Sequence, residues 1–329
     1  MAHRNAWAAT GILLLACLAA LILWGVLSPS TARYPTVRVA LDFFPNPNHV
    51  PLYAAIDQGF FACRGIRVEI VPPSDPSQGV RLAATRVADV ALTPQMNFLI
   101  AKDAGLPLIA VAALIDRSLG GLLSLKEAGI RTLSDLRGKR IGYSLVPLEP
   151  ALWKTVLSSA GLTLDDVEMV NVGMNTVPAL LLHQVDAIGA FRNFEPLQVE
   201  LQGREPIFFA QEEHGVPETY ELIAVANVAL LSTRRAEVRA FVAGLAEGID
   251  YTRAHPEEAF SALVKARPDL NDELDRRSFA ATVPLYATGA SLTNAAQWER
   301  MQDYLLASGL VSTRWLLGEL CADQLSTDR

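Results

Sequence analysis

The chain has 329 residues, enough for two ordinary domains, and its 51% hydrophobic and 19% charged residues exclude general disorder. Its formal charge of −7, without a basic run, excludes a nucleic-acid binder of the usual electrostatic kind. The three cysteines form no CxxC pair and no closely spaced Cys/His set, so we expect no metal site.

Residues 1–32 form a segment of their own. Residues 11–27 are apolar apart from glycines and one cysteine, and a proline with small residues follows as far as Ala32. This pattern predicts a signal peptide cleaved near Ala32 or an uncleaved membrane anchor over residues 7–27. Lipidation at Cys17 is a third alternative. Each alternative predicts that the rest of the chain lies in the periplasm or on the outer face of the cytoplasmic membrane.

From residue 37 onward, short apolar runs alternate with helical segments, which predicts βα units and a mostly parallel sheet. Two such series, joined by extended strands at residues 121–126 and 221–228, predict an α/β protein with two lobes and a ligand cleft between them. We expect a first lobe at residues 33–124, a second lobe at 125–224 and a helical return to the first lobe at 225–329. Hinged closure around a ligand is the expected motion.

The C-terminal part is predicted to be helical. One predicted helix, residues 235–255, has an apolar face at the 3–4 spacing of a buried helix side. The residues of this face are Val238, Phe241, Val242, Leu245 and Ile249.

The segment 41–53, LDFFPNPNHVPLY, leaves the first predicted strand and enters the first helix. Open α/β sheets bind ligands beyond the carboxyl ends of their strands, and this segment lies there. It predicts one wall of a pocket for a flat ligand, whereas the alternative is a Pro/Asn turn that covers the core. The candidate ligand-binding residues in this segment are Asp42, Phe43, Asn46, His49 and Tyr53.

A second mixed segment, FRNFEP at residues 191–196, also follows a predicted strand. The rings of Phe191 and Phe194 can stack on a planar heterocycle. Glu195 can accept hydrogen bonds from an exocyclic amine or a protonated ring nitrogen. In the alternative interpretation, Glu195 only offsets the dipole of the helix that it begins.

The turn after the strand at residues 140–144 lies at the same edge and adds Tyr143 to the candidate site. A phosphate cradle at this turn needs glycines and free backbone N–H groups. The loop has two prolines and Glu149 instead, which disfavours a phosphorylated ligand.

We also predict no catalytic residues, because neither His49 with a carboxylate nor Ser144 with His49 has a nucleophile elbow or triad spacing behind it.

Several motifs occur in the order found in one family. They include LDFFPNPNHVPLYAA, QGFF, GIRV, VADV, GLP, LRGK, GMN and VDAIGA. With them the chain resembles the family of thiamine-pyrimidine synthases and of bacterial periplasmic proteins that bind thiamine-pyrimidine precursors for ABC importers. The resemblance covers about residues 37–308, and it implies a two-lobed type II periplasmic-binding-protein fold.

The resemblance also implies where the synthase chemistry is missing. The synthases use pyridoxal phosphate, iron and one of their own histidines. Their cofactor lysine falls on Thr93, their consumed histidine on Asn97 and their phosphate loop on residues 145–149, while their cysteine cluster falls near residues 223–228, where no cysteine occurs. A Schiff base needs an amine, so the enzyme reading is disfavoured and no cofactor is expected.

The binding-protein branch implies an aminopyrimidine ligand held between the two mixed segments, with Asn97 completing the polar contacts. The implied partners are this small heterocyclic ligand and the permease and ATPase of an ABC importer. The membrane is a further partner if the leader is uncleaved. A membrane-tethered ligand-sensing module is the remaining alternative.

Overall fold

The computed structural model describes residues 34–71 and 78–322 of the chain. The leader predicted at residues 1–32 lies outside the described part. The described residues from Thr36 onward form one compact unit. None of the described helices is both long enough and apolar enough to cross a membrane.

The described residues contain two five-stranded sheets. Their strands are β1 (Thr36–Ala40), β2 (Arg67–Val71), β3 (Val90–Thr93), β4 (Leu108–Ile115), β5 (Gly120–Leu125), β6 (Arg140–Tyr143), β7 (Glu168–Asn171), β8 (Ala187–Phe191), β9 (Pro206–Ala210) and β10 (Leu222–Asn227). The helices are α1 (Val50–Asp57), α2 (Gly79–Ala84), α3 (Gln95–Asp103), α4 (Leu148–Ser158), α5 (Thr176–Leu181), α6 (Glu195–Leu201), α7 (Leu230–Thr233), α8 (Arg235–Ala254), α9 (Pro256–Ala266), α10 (Glu273–Thr282), α11 (Ala295–Ala307) and α12 (Leu317–Leu320).

The two sheets have matching topologies, so the predicted α/β fold with two lobes is confirmed. The first sheet has the order β2-β1-β3-β10-β4 and the second has the order β7-β6-β8-β5-β9. In the first sheet β1 pairs in parallel with β2 and β3, and in the second β6 pairs in parallel with β7 and β8. Each sheet also holds one antiparallel strand, β10 in the first and β5 in the second. β10 joins the first sheet after the chain has completed the second, whereas β5 directly precedes the other strands of the second sheet.

The change from one sheet to the other comes earlier than the sequence predicts. All of β5 pairs in the second sheet, so the chain has crossed before Gly120, whereas the predicted boundary follows residue 124. All of β10 pairs in the first sheet from Leu222, whereas the predicted boundary follows residue 224. The crossing segments are therefore residues 116–119 and 211–221. Apolar runs predict strands, but they do not reveal which sheet a strand joins.

Continuous apolar sequences form the strands that are buried on both faces. All eight residues of β4, LIAVAALI, are buried, as are all six of β10, LIAVAN. Gly121 allows β5 and β9 to approach closely, because a Cβ there would lie 2.3 Å from the carbonyl oxygen of Phe209. Any larger residue would push the two strands apart.

The long helix α8 packs on α1 in the core of the first lobe. All five residues of its predicted apolar face are buried, so that prediction is confirmed. Phe241 stacks on Phe61 with the ring centroids 5.6 Å apart. Gly248 permits the close approach of the two helices, since a Cβ there would lie 2.4 Å from the carbonyl oxygen of Pro51. The C-terminal helices thus return to the lobe in which the chain starts.

Candidate functional site

The turn after β1 is built by its own polar side chains. Asn46 caps the short 3₁₀ helix Pro47–His49 by accepting from the backbone N–H of Asn48 at 2.9 Å. The same side chain donates from Nδ2 to the carbonyl oxygen of Phe44 at 2.9 Å. Both ends of the Asn46 amide therefore hold the turn, so Asn46 acts as a helix cap, and its predicted ligand contact stays a prediction.

His49 is fully buried, and both of its ring nitrogens are hydrogen bonded. The backbone N–H of Asn46 donates to Nδ1 at 3.2 Å, so Nδ1 carries no proton. Nε2 is therefore the protonated nitrogen, and it donates to Oδ1 of Asp42 at 2.8 Å. This geometry leaves His49 no nitrogen for a ligand, and its role is to orient the Asp42 carboxylate.

Asp42 and Phe43 are exposed to an intermediate degree, as are the turn-forming Asn46 and Asn48. Phe43 packs edge-to-face against the exposed ring of Phe44 at 5.3 Å between centroids. Tyr53 behaves differently because it lies on α1, which packs on α8. Its side chain is only 8% exposed and belongs to the core of the first lobe.

The hydroxyl of Tyr53 also lies near a residue of the first lobe, Arg267. Burial raises the pKa of Tyr53, and nearby Arg267, just after α9, lowers it in part. This placement favours a core role for Tyr53, and its contact with a ligand stays a prediction.

The turn after β8 presents the second mixed segment. Phe191 is 42% exposed, and Phe194 is half-buried at the position before α6. Glu195 begins α6, and its Oε2 accepts from the backbone N–H of Phe191 at 2.7 Å. Burial raises the pKa of Glu195, the Phe191 N–H partly opposes that rise, and the charge of Glu149 adds to it.

Glu149 is a further candidate site residue, which the sequence indicated only as an obstacle to phosphate. It lies in the first turn of α4 and folds back onto the turn after β6. Its Oε2 accepts from the backbone N–H of Ser144 at 2.6 Å and from that of Leu145 at 3.1 Å. Burial raises the pKa of Glu149, and these hydrogen bonds oppose the rise. Tyr143, at the end of β6, is partly exposed beside this turn.

Asn193 joins the two lobes. It follows β8 of the second lobe, and its Nδ2 donates to Oδ1 of Asn48 at 2.8 Å and to Oγ1 of Thr282 at 2.7 Å, both in the first lobe. Its own Oδ1 is buried without a hydrogen-bond partner among the described residues. The Asn between the two phenylalanines of FRNFEP was visible in the sequence, but its partners across the cleft were not.

The two crossing segments are bonded to each other. The backbone N–H of Ser118 donates to Glu218 Oε1 at 2.6 Å, and that of Leu119 donates to Glu221 Oε2 at 2.8 Å. Burial raises the pKa of Glu221 to about 7, with nearby Asp42 adding to the rise and Arg192 opposing it. Sequence reasoning missed Glu221, because a single Glu before an apolar strand resembles any exposed strand end.

The remaining candidate, Asn97, lies in the first turn of α3 after β3 and is partly exposed. The structure thus brings the turn after β1 and the turn after β8 to one interlobe edge through Asn193. Tyr53 lies on α1 and belongs to the core of the first lobe. No group of His, Cys, Asp and Glu side chains in the described ranges, 34–71 and 78–322, is arranged to hold a metal ion.

Comparison of the sequence with known families and proteins gives a consistent result. The profile of a family described as NMT1/THI5 like matches residues 46–259. A protein of Haemophilus influenzae whose name assigns it to thiamine biosynthesis is 37% identical over 297 residues, which covers 90% of this chain and 94% of that protein. The formylaminopyrimidine-binding protein of Halalkalibacterium halodurans is 30% identical over 237 residues, 72% of each chain.

Relatives of lower sequence identity include proteins that are named as synthases. A 4-amino-5-hydroxymethyl-2-methylpyrimidine phosphate synthase of Legionella pneumophila is 27% identical and covers 82% of this chain and 85% of its own. Among solved structures, the periplasmic aliphatic sulphonate binding protein SsuA from Escherichia coli superimposes with a TM-score of 0.69 at 16% identity. The superposition covers 87% of this chain and 92% of SsuA. At that identity the likeness shows the fold alone, the two-lobed fold of periplasmic binding proteins.

Proposed function

Because the chain belongs to the NMT1/THI5-like family, we propose that it is an exported solute-binding protein that captures a thiamine-pyrimidine precursor, an aminopyrimidine, for import. The relative named as a formylaminopyrimidine-binding protein and the binding-protein fold support the solute-binding role. The partners would be an ABC permease and ATPase. The apolar leader and the periplasmic neighbour support a location in the periplasm or on the outer face of the cytoplasmic membrane.

One observation carries the proposal: the hydrogen bond between Asn193 and Asn48 brings the turn after β8 against the turn after β1. The first turn supplies partly exposed Asp42 and Phe43, and the second supplies Phe191 and the partly buried carboxylate of Glu195. Aromatic rings and carboxylates at one closed edge suit a flat ligand with N–H donors.

Each residue has a proposed role in that site. The rings would stack on the pyrimidine or enclose it, and the carboxylates would accept from its amine and ring nitrogen. Asn97 would add a polar contact from the first lobe. The residues that form the proposed wall of rings are Phe43, Tyr143, Phe191 and Phe194.

Isothermal titration calorimetry on the purified full-length chain tests this function. We expect saturable binding of a formylated or hydroxymethyl aminopyrimidine, and we expect Glu195→Gln to weaken it by at least tenfold, since Gln turns one acceptor into a donor. Glu205→Gln is the matched control, because Glu205 is exposed and paired with Lys126. Saturation with an alkanesulfonate, nitrate or riboflavin, but with no aminopyrimidine, would contradict the ligand class.

The synthases among the relatives keep an enzyme function as the second candidate. Thr93, at the implied lysine position, is buried in β3 and has no amine. Lys102 lies on α3, but its Nζ donates to the carbonyl oxygen of Leu108 at 3.2 Å and sits over the ring of Trp315. Addition of pyridoxal phosphate should therefore give no Schiff-base absorbance band, and the appearance of such a band would favour the enzyme.

A further inference from the structure

We propose that Glu149 determines the charge of the ligand that the cleft accepts, because its carboxylate fills the anion-binding position at the turn after β6. Ligands with an anionic group, phosphate esters included, are thereby excluded in favour of neutral or cationic N–H donors. This inference rests on the proposed function, since it concerns the same cleft. It adds to that function the residue that determines which ligand charge the cleft accepts.

The geometry of the turn is that of an occupied anion site. The N–H groups of Ser144 and Leu145 converge on Oε2 of Glu149 at 2.6 and 3.1 Å, and the hydroxyl of Ser144 lies 3.3 Å from the same oxygen. Consecutive backbone N–H groups at a strand-to-helix turn are the donors with which proteins hold phosphate and sulfonate oxygens. Here a side chain of the protein takes all three donors.

Gly189 on β8 makes room for this arrangement. A Cβ at Gly189 would lie 2.6 Å from Oε1 of Glu149 and 2.9 Å from Cζ2 of Trp153. Any other residue at this position would displace the carboxylate from the turn. Gly189 on β8 thus leaves the space in which Glu149 of α4 reaches the turn after the neighbouring strand β6.

A second carboxylate lies near the first. Glu195 follows β8 by a few residues, and the charge of Glu149 acts on it. Two carboxylates in a partly desolvated site repel each other, and a bound anion would add a third negative charge. A ligand that donates N–H groups or carries a positive charge relieves this repulsion. The pair therefore selects by charge as well as by hydrogen bonding.

The test compares three probes by calorimetry on the full-length chain. The probes are a hydroxymethyl aminopyrimidine, its phosphate ester and methanesulfonate. The wild type should bind the ester at least a hundredfold more weakly than the uncharged pyrimidine, and it should not bind methanesulfonate. Glu149→Ala frees the N–H donors of Ser144 and Leu145. The affinity for the ester should therefore rise at least tenfold relative to the affinity for the pyrimidine.

Two further variants complete the design. Glu149→Gln keeps the volume and an acceptor but removes the charge, so it should shift the preference in the same direction even if Glu149→Ala folds poorly. Glu205→Ala is the matched control and should keep the wild-type preference. The inference is overturned if folded Glu149 variants retain the wild-type ratio, or if the wild type binds the ester as tightly as the pyrimidine.

Failure of the proposed function has a different signature. If the wild type binds no aminopyrimidine, the function is wrong and methanesulfonate alone decides the inference. Binding of methanesulfonate to Glu149→Ala and not to the wild type would support the inference. Equal behaviour of the two proteins toward methanesulfonate would overturn it.

Discussion

The side-chain amide of Asn193 donates to Oδ1 of Asn48 at 2.8 Å and so bonds the second lobe to the first beside the candidate site. Thr282, at the end of α10, accepts a second hydrogen bond from the same Nδ2 at 2.7 Å. Arg277 of α10 also forms an ion pair with Glu200 of α6. The described conformation is thus one in which the lobes are in contact, and the proposed function requires such a conformation when ligand is bound.

We expect Asn193→Ala to weaken ligand binding by about tenfold to thirtyfold. The substitution removes two interlobe hydrogen bonds of about 1 kcal/mol each, and every 1.4 kcal/mol changes the affinity tenfold. Calorimetry gives the affinity, and small-angle scattering reports whether ligand still compacts the protein. Ser261→Ala is the control, since its hydroxyl bonds only within α9, to the carbonyl oxygen of Glu257. Wild-type affinity in Asn193→Ala would show that this bond does not hold the closed form.

Substitution of Phe191 should lower the ligand affinity, whereas removal of the Tyr53 hydroxyl should not. Phe191→Ala should lower affinity about tenfold with little change in unfolding temperature, because the ring is 42% exposed. Tyr53→Phe should leave affinity unchanged, because the ring stays in the core and only its hydroxyl is lost. Calorimetry and thermal unfolding measured on both variants separate the two roles. A loss of affinity in Tyr53→Phe as large as that in Phe191→Ala would contradict the core assignment.

Glu221 should make the stability of the protein depend on pH. Its pKa is raised from 4.5 to about 7 by burial, so the folded state holds the proton more tightly than the unfolded state. The free energy of unfolding should therefore fall as pH rises from about 4.5 to about 7 and then level off. The full effect is about 3 kcal/mol, from 1.36 kcal/mol per pKa unit.

Glu221→Gln should remove this dependence, because Gln stays neutral and can still accept from the backbone N–H of Leu119. Urea denaturation between pH 5 and pH 8 should give a flatter profile and a more stable variant at pH 8. Glu205→Gln, measured alongside, reports the effect of the same change at an exposed site. A wild-type slope in Glu221→Gln would assign the pH dependence to other groups.

His49 should be the Nε2–H tautomer in the folded protein at neutral pH. The N–H of Asn46 occupies Nδ1, and Asp42 accepts from Nε2. Nitrogen-15 NMR of the imidazole distinguishes the tautomers directly, and ligand binding should leave the assignment unchanged. A protonated Nδ1, or a tautomer that switches when ligand binds, would restore His49 as a ligand contact.

Much of the fold follows from local patterns in the sequence. The continuous apolar runs of β4 and β10 predict buried strands, and the 3–4 spacing in α8 predicts its buried face, because strand pleat and helix pitch repeat over a few residues. The mixed segments after β1 and β8 are likewise visible as departures from these patterns. Their position at strand ends predicts a ligand edge.

The tertiary structure decided what each of those side chains does. Asn46, His49 and Tyr53 lie in one segment with Asp42, yet Asn46 caps a helix, His49 orients Asp42, and Tyr53 enters the core because α1 packs on α8. The partners of Asn193, Glu149 and Glu221 lie in other segments of the chain. Sequence periodicity determines which face of an element is apolar, but contacts between distant segments depend on how the elements pack. The sequence by itself therefore determined the two βα series and the two mixed segments, whereas packing decided which of their side chains reach the cleft.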